Sequence, residues 1–108
     1  MKFVDYFVED RIAHIVMNRG PVNALSMELV CEILEAYRLA KADTDVRCVM
    51  LESGLPKVFC AGMDLEMMRD GDSIRIRDYL EKLYLDMHLA QYRMAKPTIA
   101  VVNGAARA

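Results

Sequence analysis

The 108-residue sequence has no apolar run of the roughly 18–20 residues that a membrane-crossing helix needs. No charged-then-apolar leader opens it, so the sequence predicts a cytoplasmic protein with no membrane partner. Neither sign of charge is in excess: 14 Lys and Arg against 16 Asp and Glu give a formal net charge of −2. A nucleic acid or an anionic lipid surface recruits a basic excess, so neither is expected as a partner. Cysteine is scarce and odd in number. Cys31, Cys48 and Cys60 each sit among apolar or small residues and read as reduced thiols of a cytosol-like compartment. Repeats, low-complexity tracts and linkers are lacking as well.

What is present suits one small domain. The length is too short for two, and 55% hydrophobic residues are enough to build a core rather than a disordered chain. Nine methionines suit irregular core gaps, or an adaptable binding surface.

Residues 3–8 and 12–17 alternate in polarity around the break Glu9-Asp10-Arg11, which predicts an antiparallel hairpin. Asn18-Arg19-Gly20-Pro21 ends it. Ser26 offers a helix N-cap, with Glu28 in the first turn. Leu29, Ile33, Ala36, Tyr37 and Ala40 fall at helical spacing, predicting a helix over 27–42. Cys48-Val49-Met50-Leu51 reads as a strand buried on both faces of a parallel sheet. A second helix is expected from Asp64 to about Asp70-Gly71. A long third helix, capped by Asp72 or Ser73, runs to about Met94 on Ile76, Leu80, Leu83, Met87, Ala90 and Met94. Lys96-Pro97 stops it, residues 98–102 form another buried strand, and Asn103-Gly104 turns out of that strand. Strands alternating with helices imply an α/β layered fold with a largely parallel sheet. No helix follows the last strand to cover its side of the sheet. The expectation is therefore a piece of a larger unit, or a chain that packs against another.

The segment from Lys57 to Leu65 carries the chemistry. A strand leads through Ser53-Gly54-Leu55-Pro56 into the small-residue turn Ala61-Gly62, followed by an acidic residue. Such a turn leaves backbone N–H groups able to bind a polarised carbonyl oxygen; the alternative is an ordinary chain reversal. Asp64 reads as a helix cap rather than a catalytic acid. Cys60 has no histidine partner, so it is not read as a nucleophile. His14 and His88 show no ligand spacing with the cysteines, and no metal site is expected. Ser26 lacks a nucleophile elbow. Met67-Met68 suits an acyl pocket or the core equally. Arg75, Arg77, Asp78, Glu81, Lys82 and Asp86 make a solvated helix face, with Asp78 and Lys82 an i,i+4 pair.

Three segments, in order, carry a resemblance. Asn18-Arg19-Gly20-Pro21-Val22-Asn23-Ala24-Leu25 resembles the Asn-Arg-Pro…Asn-Ala-Leu segment of the enoyl-CoA hydratase/isomerase (crotonase) family. Phe59-Cys60-Ala61-Gly62-Met63-Asp64-Leu65 resembles its Phe-Ser-Ala-Gly-Ala-Asp-Leu oxyanion loop. Lys96-Pro97-Thr98-Ile99-Ala100-Val101-Val102-Asn103-Gly104 is similar to the strand before its Gly-Gly-Gly turn. The resemblance implies a crotonase-like ββα spiral, incomplete here, with residues 1–108 as the N-terminal part of the domain.

It further implies a thioester substrate on coenzyme A or an acyl carrier protein, and no cofactor beyond that coenzyme A moiety. It implies a homo-oligomer, a trimer or a dimer of trimers. The Met63 N–H maps to the first oxyanion donor, and Gly62 to the residue that lets the backbone approach the substrate. Ala24, Leu25, Ala61, Met63, Asp64 and Leu65 map to the coenzyme A channel, and Arg19 to a basic residue near its phosphate. The second donor maps just beyond Ala108, and no Glu or Asp matches the family's acid–base glutamates. Arg107-Ala108 departs from the common Leu-Gly. Leu55-Pro56-Lys57-Val58-Phe59-Cys60 is similar to polyketide-associated members. The expected function is thioester binding with enolate stabilisation. The alternatives are a non-catalytic thioester-binding or assembly module, or a dehydratase or decarboxylase homologue acting on carrier-bound acyl groups.

Overall fold

The computed structural model describes residues 1–69 and 71–107. Asp70 and Ala108, on which the end of the second helix and the last motif position fall, lie outside the described residues. Strands β1 (Val4–Glu9) and β2 (Ile12–Met17) form the expected antiparallel hairpin, with Phe7 opposite His14. Asp10 and Arg11, between them, both hold positive φ (54° and 65°). Two such residues make the primed turn whose twist matches the flanking strands.

Ala24–Leu25 is the two-residue strand β3, and helix α1 spans Met27–Ala42 as the spacing predicts. The Ser26 hydroxyl accepts from the Leu29 N–H at 3.2 Å, satisfying one of the helix's orphan donors. Strand β4 (Cys48–Ser53) lies parallel to β2, and β7 (Thr98–Ala100) lies parallel to β4, giving the order β1-β2-β4-β7. The core forms where Leu29, Val30, Ile33, Ala36 and Ala40 of α1 meet Ala13, Ile15, Met17 and Val49 of the sheet.

Only one sheet face is buried this way. In β4, Val49 is buried while Cys48, Met50 and Leu51 are half-buried, so the expected two-sided burial does not hold. The opposite face carries the Phe7 and His14 rings, stacked 4.6 Å apart, and the His14 Nδ1–Glu52 hydrogen bond. The strand expected over 98–102 is shorter and exposed, with Ile99 45% and Val102 57% accessible.

The short strands β5 (Val58–Cys60) and β6 (Gly62–Met63) follow β4. The helix expected after Asp64 is a single 3₁₀ turn, Leu65–Met68, with Asp64 as its N-cap. The long helix is present, but its winding changes. Helix α2 (Ser73–Leu80) passes through a π-helical turn, Glu81–Asp86, into α3 (Met87–Tyr92). Asp72 caps it, accepting from the Ile74 and Arg75 N–H groups. The change of winding alters the buried face. Tyr79, Leu83 and Met87 are buried, whereas the expected Ile76, Leu80 and Ala90 are half-exposed. In an α-helix a four-residue step over-rotates by about 40°, and the wider π turn offsets that drift. Met94 is buried as expected.

Lys96 does more than precede a helix-stopping proline. Its ammonium donates to the carbonyls of Ala40 (2.7 Å), Lys41 (3.2 Å) and Asp43 (2.8 Å) at the C-terminal end of α1. A cation there satisfies orphan carbonyls and opposes the negative end of the helix dipole. Lys96→Met is expected to lower unfolding stability by about 2 kcal/mol, as charge-assisted bonds at a helix end typically contribute. Guanidinium unfolding of both proteins measures it.

Candidate functional site

The site is built where three short segments meet. Between β2 and β3, Asn23 takes a left-handed φ of 53°, a conformation asparagine tolerates. Its side chain is fully buried. The amide donates to Met17 O (3.3 Å), Ser53 Oγ (2.9 Å) and Phe59 O (3.0 Å), and its oxygen accepts from the Arg19 N–H (2.8 Å). One side chain thus fastens the turn to the ends of β2 and β4 and to the middle of β5.

Strand β5 pairs in parallel with β8 (Ala105–Ala106), and the Arg107 N–H extends that contact to Cys60 O at 2.9 Å. Gly104 is required at the entry to β8, because a Cβ there would lie 2.2 Å from the Lys57 carbonyl oxygen. Cys60 is buried. Its thiol donates to Asn23 O and accepts from the Gly62 N–H, each at 3.3 Å, and burial pushes its pKa up. It has no base beside it in these contacts and acts as a packing and bridging group.

Gly62 is buried at φ 89°, where an L side chain is strained. β6 runs parallel to β3, with Gly62 opposite Ala24 and Met63 opposite Leu25. The following Asp64 N–H donates to the Tyr79 hydroxyl at 3.1 Å, and that hydroxyl donates onward to Leu25 O. Asp64 is held at both oxygens: Oδ1 accepts from the Glu66 N–H at 3.1 Å, and Oδ2 pairs with Arg19 Nη1 at 3.1 Å. Arg19 also donates to Ala24 O at 3.0 Å and lies over the Phe3 ring.

A cavity of about 300 Å³ opens against this arrangement, lined by Leu25, Gly62, Met63, Leu83, Tyr84, Met87, His88, Gln91 and Arg107. Of the residues expected from sequence, Leu25, Gly62 and Met63 line it together. Ala61 lines a neighbouring cavity with Val22, Val58, Ala105 and Arg107. Arg19, Ala24 and Asp64 form the bonded cluster behind β6, and Leu65 projects at the surface, 72% exposed. Met67 and Met68 pack against the core. Asn23's anchoring role and Tyr79 escaped the sequence reading. Tyr79 sits in the right helix but off the expected apolar face.

The sequence model of the enoyl-CoA hydratase/isomerase family matches residues 8–108. The chain belongs to this family. It is 35% identical to YhaR of Bacillus subtilis over 111 residues, spanning 98% of this chain and 41% of that protein. It is 38% identical to enoyl-CoA hydratase EchA19 of Mycobacterium tuberculosis over 96 residues, spanning 85% and 35%. It is 30% identical to rat mitochondrial enoyl-CoA delta isomerase 1 over 103 residues, spanning 93% and 34%. The chain thus spans about two fifths or less of these relatives. Enoyl-CoA hydratase from Bacillus halodurans superposes with TM-score 0.85 and 25% identity, over 94% of this chain and 42% of that one. Pseudomonas aeruginosa DspI, at 24% identity and TM-score 0.90 over 98% of this chain and 40% of that one, shows the shared fold. The fold is the crotonase fold, represented over part of its length.

Asn23→Ala leaves buried acceptors and a donor without partners, and is expected to cost roughly 3 kcal/mol in urea unfolding. Burial raises the Cys60 pKa, so less thiolate forms at a given pH. Iodoacetamide at mildly alkaline pH should therefore label exposed Cys31 well before Cys60, as peptide mass spectrometry would record.

Proposed function

We propose that this chain forms the thioester-gripping part of an enoyl-CoA hydratase/isomerase-type enzyme, with the Met63 N–H as a donor to the acyl oxygen. One observation carries the reading. The Asp64 N–H is taken up on the β3 side, by Tyr79. Successive amides of an extended strand point to opposite sides, so the Met63 N–H is directed away from β3. Met63 and Gly62 both line the cavity. A thioester carbonyl laid against that amide gains stabilisation as its oxygen takes on enolate charge. A single aimed donor in a water-poor site is typically worth about 3 kcal/mol.

The substrate class is an acyl thioester of coenzyme A or of a carrier protein. No further cofactor is needed for this step. Leu25, Leu83 and Met87 offer the acyl chain an apolar wall. Ala24, Ala61 and Leu65 flank the route proposed for the coenzyme A arm. Arg19 stands beside that route, but its pair with Asp64 gives it a second duty. Both a hydratase and an isomerase are similar to this chain, so the proposed role is the step such reactions share, carbonyl polarisation. Homo-oligomerisation is proposed with it, in keeping with the exposed apolar residues Ile99, Val101 and Val102.

Titrating the ¹⁵N-labelled chain with butyryl-CoA is expected to shift the Met63 amide proton downfield, as a new hydrogen bond would. Gly62→Ala is expected to weaken binding about tenfold or more, because a side chain at that φ strains the backbone beside the donor. An unmoved Met63 resonance at saturating butyryl-CoA would overturn the reading.

A further inference from the structure

We propose that Tyr79 is the positioning residue for the Met63 amide, acting through the two groups its hydroxyl joins; this rests on Met63 being the oxyanion donor. Tyr79 has no accessible surface. Its oxygen donates to Leu25 O and accepts from the Asp64 N–H at 3.1 Å. Leu25 is the ladder partner of Met63, and Asp64 is the next residue along the chain. The hydroxyl therefore ties the peptide after Met63 to the strand facing it.

The tie matters because β3 and β6 are only two residues each. So short a ladder fixes the orientation of its amides weakly, and a donor that rotates loses most of its hydrogen-bond energy below about 120°. An amide aimed in advance costs no reorganisation when charge develops on the acyl oxygen.

Tyr79 also connects the donor to the cavity wall. The π turn, Glu81–Asp86, brings Tyr79, Leu83 and Met87 to the same buried face. Leu83 and Met87 line the cavity beside Met63. One helix face thus holds the donor at one end and shapes the acyl wall at the other. π turns of this kind recur at functional sites.

The test compares butyryl-CoA with its thioether analogue S-butyl-CoA, which lacks the carbonyl, using calorimetry on the full chain. The wild-type chain is expected to prefer the thioester. Tyr79→Phe should lose roughly tenfold of that preference while S-butyl-CoA affinity is unchanged. A Tyr79→Phe chain that melts lower but keeps the full preference would overturn the proposal and leave Tyr79 a packing residue. Loss of affinity for both ligands alike would overturn it too. If the wild-type chain makes no distinction, the Met63 reading fails and this one falls with it.

Should Tyr79→Phe not fold, 3,5-difluorotyrosine at position 79 keeps the ring and the hydroxyl but ionises at lower pH. Its thioester preference should decline as pH rises through that ionisation, since a phenolate cannot donate to Leu25 O. A preference that stays flat with pH would overturn the proposal.

Discussion

The arrangement depends on one buried amide side chain. Asn23 is enclosed by protein, yet it carries two donors and an acceptor that water would otherwise satisfy. The oxygen accepts from Arg19 within the turn, and the two N–H groups share three acceptors: Met17 at the end of β2, Ser53 at the end of β4 and Phe59 in β5. No apolar residue could do this, because packing holds segments together without fixing which carbonyl meets which amide. The result is that β3 starts at a set height above the sheet. β6 can then pair with it so that Gly62 meets Ala24 and Met63 meets Leu25. Cys60 extends the same bracing, reaching Asn23 O with its thiol while taking the Gly62 N–H.

The layered core is less particular. Small and branched residues of α1 lie over alternate residues of β2 and β4, and the energy comes from apolar area removed from water. That core reaches the site through the long helix. Its buried Tyr79 spans 54 residues of sequence to Leu25, as Gln91 does to Tyr37. Lys96 spans a similar distance to close the end of α1. These contacts join the first 45 residues to the segment after 73, so helix and sheet cannot shift independently of the loop between them.

The parts legible in sequence were those ruled by local chemistry. Ser26 announces α1 because its hydroxyl caps only the turn that follows it, and the spacing of Leu29, Ile33, Ala36 and Ala40 repeats the helix period. The hairpin showed in the alternation of residues 12–17. Asp64 as a cap followed from an acidic residue placed just after the Ala-Gly turn. What escaped was set at a distance. Tyr79 lies outside the apolar stripe of an ideal helix, and it is buried because the turn after Leu80 widens. Two-sided burial of β4 was overstated because an apolar run does not say how many faces a helix covers, and here α1 covers one. Asn23 was visible as a motif letter, but its partners are as many as 36 positions away.

The electrostatics of the site point the same way as its geometry. On the proposed reading, the charge that develops on the acyl oxygen is met by the Met63 backbone dipole, in a cavity whose lining also includes Arg107. Arg19 is turned toward Asp64 and Ala24 O and is not among the residues that line the cavity. The Tyr79 phenol has its pKa raised by burial, so it stays neutral and keeps its proton on Leu25 O. A neutral, rigid amide gains most when charge appears, which is the condition for lowering a barrier rather than only tightening binding.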